Sequence, residues 1–170
     1  ATEANNLALL GVARALGTTR RHLVVSSIEH PAVMAPAMVL REQGWDVTVV
    51  PVDDLGRISL DALERSLRAE TALVSVMHAN NEVGTLQPVR QVAAVAAEHG
   101  AVSHSDAVQA VGHIAVNFAT SGLDLLSFTA HKLGGPYGIG ALLARRELRL
   151  APILHGGGQE REIRSGTLDV

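Results

Sequence analysis

The chain has 170 residues, 47% hydrophobic and 18% charged, which are values for one well-cored globular domain. A formal net charge of −3 gives no electrostatic basis for binding nucleic acid or an anionic membrane, and no apolar run of about 18 residues is present to span one. There is no cysteine and hence no disulfide framework, and with aromatics at 2% the core falls to Leu, Val, Ile and Ala; a cytoplasmic location is the expectation.

Taken in order, the first stretch reads as a helix capped by Thr2 and running to about Leu16, with Leu7, Leu10, Val12 and Ala15 available for burial. His22–Ser26 is a short apolar run, the mark of a buried strand. Pro31 opens a helix reaching about Gln43, and Pro36 inside it predicts a kink or a late start. Asp46–Val50 is the next strand, Asp53-Asp54-Leu55-Gly56 a turn, and Ser59 the cap of a short helix holding Leu60, Leu63 and Leu67. Residues 71–77 form a buried strand with 78–84 as its polar exit. Pro88 then starts a helix whose Val89, Val92, Ala93 and Ala96 share one face, and His99-Gly100 ends it. Strands follow at Val102–Asp106, Leu125–Thr129 and Gly140–Ala144.

Strands alternating with helices of about ten residues predict an α/β fold, a mainly parallel (mixed) sheet flanked by helices. Ligands of such sheets lie beyond the carboxyl ends of the strands. Those exits carry Glu29-His30, His78-Ala79-Asn80-Asn81-Glu82, Asp106-Ala107-Val108-Gln109 and Thr129-Ala130-His131-Lys132, so the polar chemistry gathers on one rim.

Lys132 is the only lysine; every other cationic side chain is arginine. Arginine serves as a generic positive charge but does not give up its proton to attack a carbonyl, whereas lysine does. A lone lysine past a buried strand is therefore a Schiff-base candidate, against the plainer reading of a surface lysine. If it holds pyridoxal 5'-phosphate, the ring nitrogen needs an acid, for which Asp106 is placed. A flat side chain should cover the ring, and His30 is the candidate, able also to carry protons. Gln109, one helical turn past Asp106, is in reach of the ring hydroxyl. The phosphate needs helix-start N–H groups and hydroxyls, which Ala1, Thr2, Thr129 and His131 can supply. Taken singly, Asp106 reads equally as a helix cap and His30 as a loop residue before Pro31.

The runs Ala1-Thr2-Glu3-Ala4-Asn5-Asn6, Glu29-His30, Met77-His78-Ala79-Asn80-Asn81-Glu82-Val83-Gly84, Asp106-Ala107-Val108-Gln109, Ser127-Phe128-Thr129-Ala130-His131-Lys132, His155-Gly156-Gly157-Gly158-Gln159-Glu160-Arg161 and Arg164-Ser165-Gly166-Thr167 together resemble the successive motifs of cysteine desulfurases. These are class V, fold-type I enzymes dependent on pyridoxal phosphate. The resemblance spans the chain and implies the large cofactor-binding domain of such an enzyme, incomplete, with an N-terminal segment and a small C-terminal domain lying outside it. It implies Lys132 as the cofactor-bearing amine and Asp106 as the partner of the ring nitrogen. His30 would stack on the ring and Asn81 and Gln109 orient it. Ala1, Thr2, Thr129 and His131 would hold the phosphate, and Thr167 would reach the phosphate of a partner subunit in a homodimer. The implied reaction converts L-cysteine to L-alanine and passes sulfur to an enzyme cysteine beyond Val170, then to a sulfur-acceptor protein. Iron–sulfur assembly, tRNA thiolation and DNA sulfur modification all remain open as destinations. The glycines 156–158 permit close backbone approach and positive φ, and read as the most flexible stretch. Alternatives are a selenocysteine lyase, a kynureninase-like hydrolase or a small aminotransferase of the same class. A metal-binding protein using His104 and Asp106 and a non-catalytic domain are the others.

Overall fold

The computed structural model describes residues 1–17 and 19–167. Its helices and strands are α1 (Thr2–Leu16), β1 (His22–Ser26), α2 (Pro31–Glu42), β2 (Asp46–Val50), α3 (Leu60–Ser66), β3 (Thr71–Ser75), α4 (Val89–Glu98), β4 (Val102–Asp106), α5 (Phe118–Ser121), β5 (Leu125–Thr129) and β6 (Gly140–Ala144), with 3-10 turns at Ala130–Leu133 and Glu160–Glu162. The six strands form one sheet in the order β2-β1-β3-β4-β5-β6. All neighbours are parallel except β5 and β6, which pair antiparallel from Leu125 opposite Ala144 to Thr129 opposite Gly140.

Alternation along the strands divides the core into two faces. Leu23, Val25, Leu73 and Leu125 point to one face and pack with Leu9 and Val12 of α1 and Val33 and Ala37 of α2. Val24 and Val74 point to the other, against Leu63 of α3 and Val92 and Ala96 of α4. Leu126 shares that second side with Val89 and Ala93 of α4. A sheet covered on both faces requires apolar residues at successive strand positions, so β1 and β3 are buried at all five positions.

Two helix starts differ from expectation. Thr2 is the first helical residue and Ala1 the cap, with no side-chain capping bond. α2 begins at Pro31 rather than late and includes Pro36. Its start is fixed from outside: His30 Nδ1 accepts the Ala32 N–H at 3.1 Å, and a proline at the first helical position gives up only an N–H that has no helical partner. β3 stops at Ser75, two residues short of the predicted end, although Val76 and His78 still donate to the carbonyls of His104 and Asp106. No helix among the described residues is long and apolar enough to cross a membrane.

The sheet order places the site. β1 runs outward to β2, then the chain returns to the other side of β1 to lay down β3, β4 and β5. Connections leave β1 and β3 in opposite directions, which opens a crevice at their carboxyl ends.

Candidate active site

A cleft of about 190 Å³ lies at those carboxyl ends. Ala1, Thr2, His30, Asn81, Asp106, Gln109, Thr129, His131 and Lys132 all line it, so the structure brings together every candidate except Thr167. Asn5, Ala32, Met77, Ala79 and Val108 complete the wall and were not anticipated as site residues. Asn5 had a legible signal. It lies four residues before Leu9 and seven before Val12, both core-facing, so a polar side chain there must point inward.

Lys132 sits in the 3-10 turn that follows β5. That turn ends on Gly134 at φ 78°, and Gly135 passes so close that a Cβ would stand 2.9 Å from that of Ala130. Beside it, Thr129 Oγ1 donates to the Ile139 carbonyl at 3.0 Å. A hydroxyl has one proton, so the 3.0 Å contact with His131 must be a bond donated by His131 Nδ1. Thr129, expected to offer its hydroxyl to phosphate, lines the cleft and also orients His131. Tyr137 stacks on that imidazole with centroids 5.4 Å apart.

The first turn of α1 contributes N–H groups with no helical acceptor, because the first helical bond is from Asn5 to Ala1. β6 presses against this start: a Cβ on Gly140 would come within 2.9 Å of the Ala1 nitrogen. His30 caps α2, so its Nδ1 is occupied as an acceptor. Asn81 stands on a loop braced by Asn80, whose side chain donates to the Ile28 carbonyl at 3.2 Å and accepts from Glu82 and Val83 N–H at 2.9 and 3.0 Å.

Asp106 is 4% exposed. One carboxylate oxygen accepts from Asn5 Nδ2 at 2.7 Å and the other from the Val108 N–H at 3.0 Å. His104, on the same strand, binds serines through both ring nitrogens, which leaves none for a metal. Burial pushes its pKa down to about 3.

Glu29 is the other buried acid. Its Oε1 accepts from Ser26 Oγ and from the Met77 N–H at 2.8 Å, tying the end of β1 to the end of β3, while buried Oε2 has no partner. Desolvation, with the nearby Asp106 charge adding to it, pushes the Glu29 pKa up to about 8. The neutral carboxyl is what makes an unpartnered Oε2 tolerable.

These shifts have opposite signs in stability. Glu29, raised from 4.5, stabilises fully below pH 4.5 and loses that contribution as pH rises through about 8. His104, lowered from 6.5, stabilises above pH 6.5 and loses its contribution as pH falls toward 3; His22 and His78, also lowered by burial, act in the same direction. Stability of the cofactor-free full-length protein should therefore peak near pH 6.5. It should fall by about 2 kcal/mol by pH 8, at one proton of linkage over that interval. Glu29→Gln keeps an acceptor for Ser26 and Met77 and should flatten that alkaline fall, as read from urea midpoints. An unchanged fall in the variant would assign it to another group.

The tail carrying Thr167 lies elsewhere. Arg164 Nε donates to Glu3 Oε1 at 2.7 Å and clamps the tail to the first turn of α1, and Gln159 Oε1 accepts the Gly166 N–H at 3.0 Å. Thr167 is exposed and does not line the cleft. Glycines 156–158 do not take positive φ; Glu160, Arg161 and Glu162 do, at 45°, 59° and 63°.

A family model, aminotransferase class-V, matches residues 1–168. The chain belongs to the class-V aminotransferase family. Among curated relatives of this class-V chain, the cysteine desulfurase IscS of Dictyoglomus turgidum is 47% identical over 99% of it, and the chain spans 43% of that relative's length. A solved structure titled NifS-like protein superposes with a TM-score of 0.96 at 40% identity, covering 99% of this chain and 47% of that one. Another, SspA in complex with cysteine, gives 0.92 at 39% identity, covering 98% and 49%. The architecture is that of the large domain of a fold-type I transferase, and the cofactor of the family is pyridoxal 5'-phosphate. The residues of this class-V cleft fit that group: one amine, one buried carboxylate, and helix-start N–H groups beside Thr2 and His131.

Proposed function

We propose that this chain forms the cofactor-binding part of a cysteine desulfurase, which converts L-cysteine to L-alanine and hands on the sulfur. The observation that carries the reading is the convergence of Lys132, Asp106, His30, Asn81 and Gln109 on one cleft, in a chain whose relatives bear that name. The neighbour titled as a complex with cysteine adds support for the substrate.

Pyridoxal phosphate, when bound, supplies an aldehyde that condenses with amines and a protonated ring that withdraws electrons. Lys132 would offer its amine to that aldehyde. Asp106 would hold the proton at the ring nitrogen. His30, pinned through Nδ1 to α2, covers the ring and moves protons through Nε2. Asn81 and Gln109 orient the ring. Ala1, Thr2, Thr129 and His131 would receive the phosphate, Thr129 also setting the His131 ring. The sulfur–carbon bond breaks with its electron pair left on the substrate β-carbon, which takes up a proton to become the alanine methyl. Sulfur leaves on an attacking thiolate, and since the 170 residues include no cysteine, that thiol comes from outside them. A homodimer in which Thr167 serves the partner's site, and an acceptor protein for the sulfur, complete the reading; sedimentation of the full-length protein tests the dimer.

The deciding experiment supplies full-length, cofactor-loaded protein with L-cysteine and excess dithiothreitol. Alanine and sulfide should appear in equal amounts. Alanine from selenocysteine alone, or product from kynurenine alone, would move the protein to another branch of the class.

A further inference from the structure

Five buried side chains from four elements form one continuous hydrogen-bonded chain. Ser75 Oγ of β3 meets His104 Nδ1 of β4 at 2.8 Å. His104 Nε2 meets Ser127 Oγ of β5 at 3.3 Å, the longest link. Ser127 Oγ bonds Asn5 Oδ1 of α1, and Asn5 Nδ2 reaches Asp106 Oδ2 at 2.7 Å. Ser75, His104, Ser127 and Asn5 are all fully buried, so water does not compete at any link.

The direction of every proton follows from the far end. A carboxylate only accepts, so Asn5 turns its NH₂ to Asp106 and its carbonyl to Ser127. That carbonyl only accepts, so the single Ser127 proton goes to Asn5. Ser127 must then accept from His104, which places the imidazole proton on Nε2. His104 Nδ1 is thereby an acceptor and takes the Ser75 proton. All four bonds donate toward Asp106. The neutral imidazole this requires agrees with the strong depression of the His104 pKa by burial.

We propose that Ser75, His104, Ser127 and Asn5 are positioning residues, a one-way donor relay that orients the Asp106 carboxylate and stabilises its negative charge. Bonds aligned head to tail polarise one another, so the last donor, Asn5 Nδ2–H, is stronger than an isolated amide. The relay fixes one carboxylate oxygen and the Val108 N–H fixes the other, which leaves the Asp106 plane no freedom to turn. Titratable groups near it include Glu29, and the Ala1 amine, His30, His131 and Lys132 on the cleft wall. The effect on catalysis rests on the function proposed above; the proton arrangement does not.

The first test needs neither substrate nor cofactor. In full-length protein labelled with ¹⁵N-histidine, long-range proton–nitrogen spectra should show His104 neutral with its proton on Nε2 from pH 6 to 8. A proton on Nδ1, or a cationic His104 at pH 6, overturns the relay. The second test compares loaded Ser127→Ala and Ser127→Thr. The alanine variant should lose about tenfold in kcat with KM for cysteine changed less than about twofold, and should shift the visible absorption band of the cofactor. The threonine variant, which keeps the hydroxyl, should restore both. Wild-type kcat and an unmoved band in Ser127→Ala overturn the proposal. If cysteine proves not to be a substrate while His104 and the absorption band behave as stated, the relay stands and the desulfurase reading fails.

Discussion

Lys132→Ala in the full-length protein is expected to abolish cysteine turnover, by a factor on the order of 10⁴ or more, as removal of a group acting in covalent catalysis does. The side chain is held by its turn rather than by partners. β5 ends at Thr129, the 3-10 turn carries Lys132 into the cleft, and Gly134 at φ 78° closes it. No other side chain of the 170 residues bears a primary amine. Lys132→Arg separates charge from chemistry: it keeps the positive charge and most of the length but has no amine to offer an aldehyde, so it should be as inactive as the alanine variant. Wild-type protein should be yellow, and borohydride should fix the cofactor to the peptide containing Lys132. A fixed label on any other peptide of the full-length protein contradicts the assignment.

Asp106→Ala is expected to separate turnover from binding. Phosphate contacts at the start of α1 and at His131 are untouched by it, so cofactor occupancy after dialysis should fall by less than about tenfold. Turnover should fall by roughly 10³-fold, because the ring loses the carboxylate that keeps its nitrogen protonated and with it the capacity to withdraw electrons. The variant also strands Asn5 Nδ2–H and the Val108 N–H in a buried site, so a stability loss of about 1–3 kcal/mol should accompany it. Asp106→Asn retains the shape and serves as the control for that loss. Turnover within about twofold of wild type in either variant would remove Asp106 from the chemistry.

Much of the framework was legible because the strands announce themselves. His22–Ser26, Asp46–Val50, Val102–Asp106, Leu125–Thr129 and Gly140–Ala144 stand at the predicted bounds. Several are continuous apolar runs, as burial on both faces demands, and they are punctuated by turns. The four-residue helix Phe118–Ser121 escaped, being too short to show a period, although Asn117 before it and Gly122 after it are its cap and its stop. Reading the strand exits as one rim worked because parallel strands send all their carboxyl ends the same way. What the sequence withheld was tertiary: that His104 faces two serines and that Asn5, 101 residues from Asp106, supplies one of its hydrogen bonds. In the tail the positive φ values fall on Glu160, Arg161 and Glu162 rather than on the three glycines, a placement that no sequence pattern marks.

Among the described residues β6 has β5 on one side and no strand on the other. Leu143, Ile139 and Tyr137 stand exposed along or beside it. Such an edge, apolar and without a lysine or proline inside the strand, is a template for sheet growth. A second copy laid against it would extend the sheet from six strands to twelve without any local unfolding. The 170-residue chain handled by itself is therefore expected to associate edge to edge as its concentration rises, which light scattering of a dilution series checks.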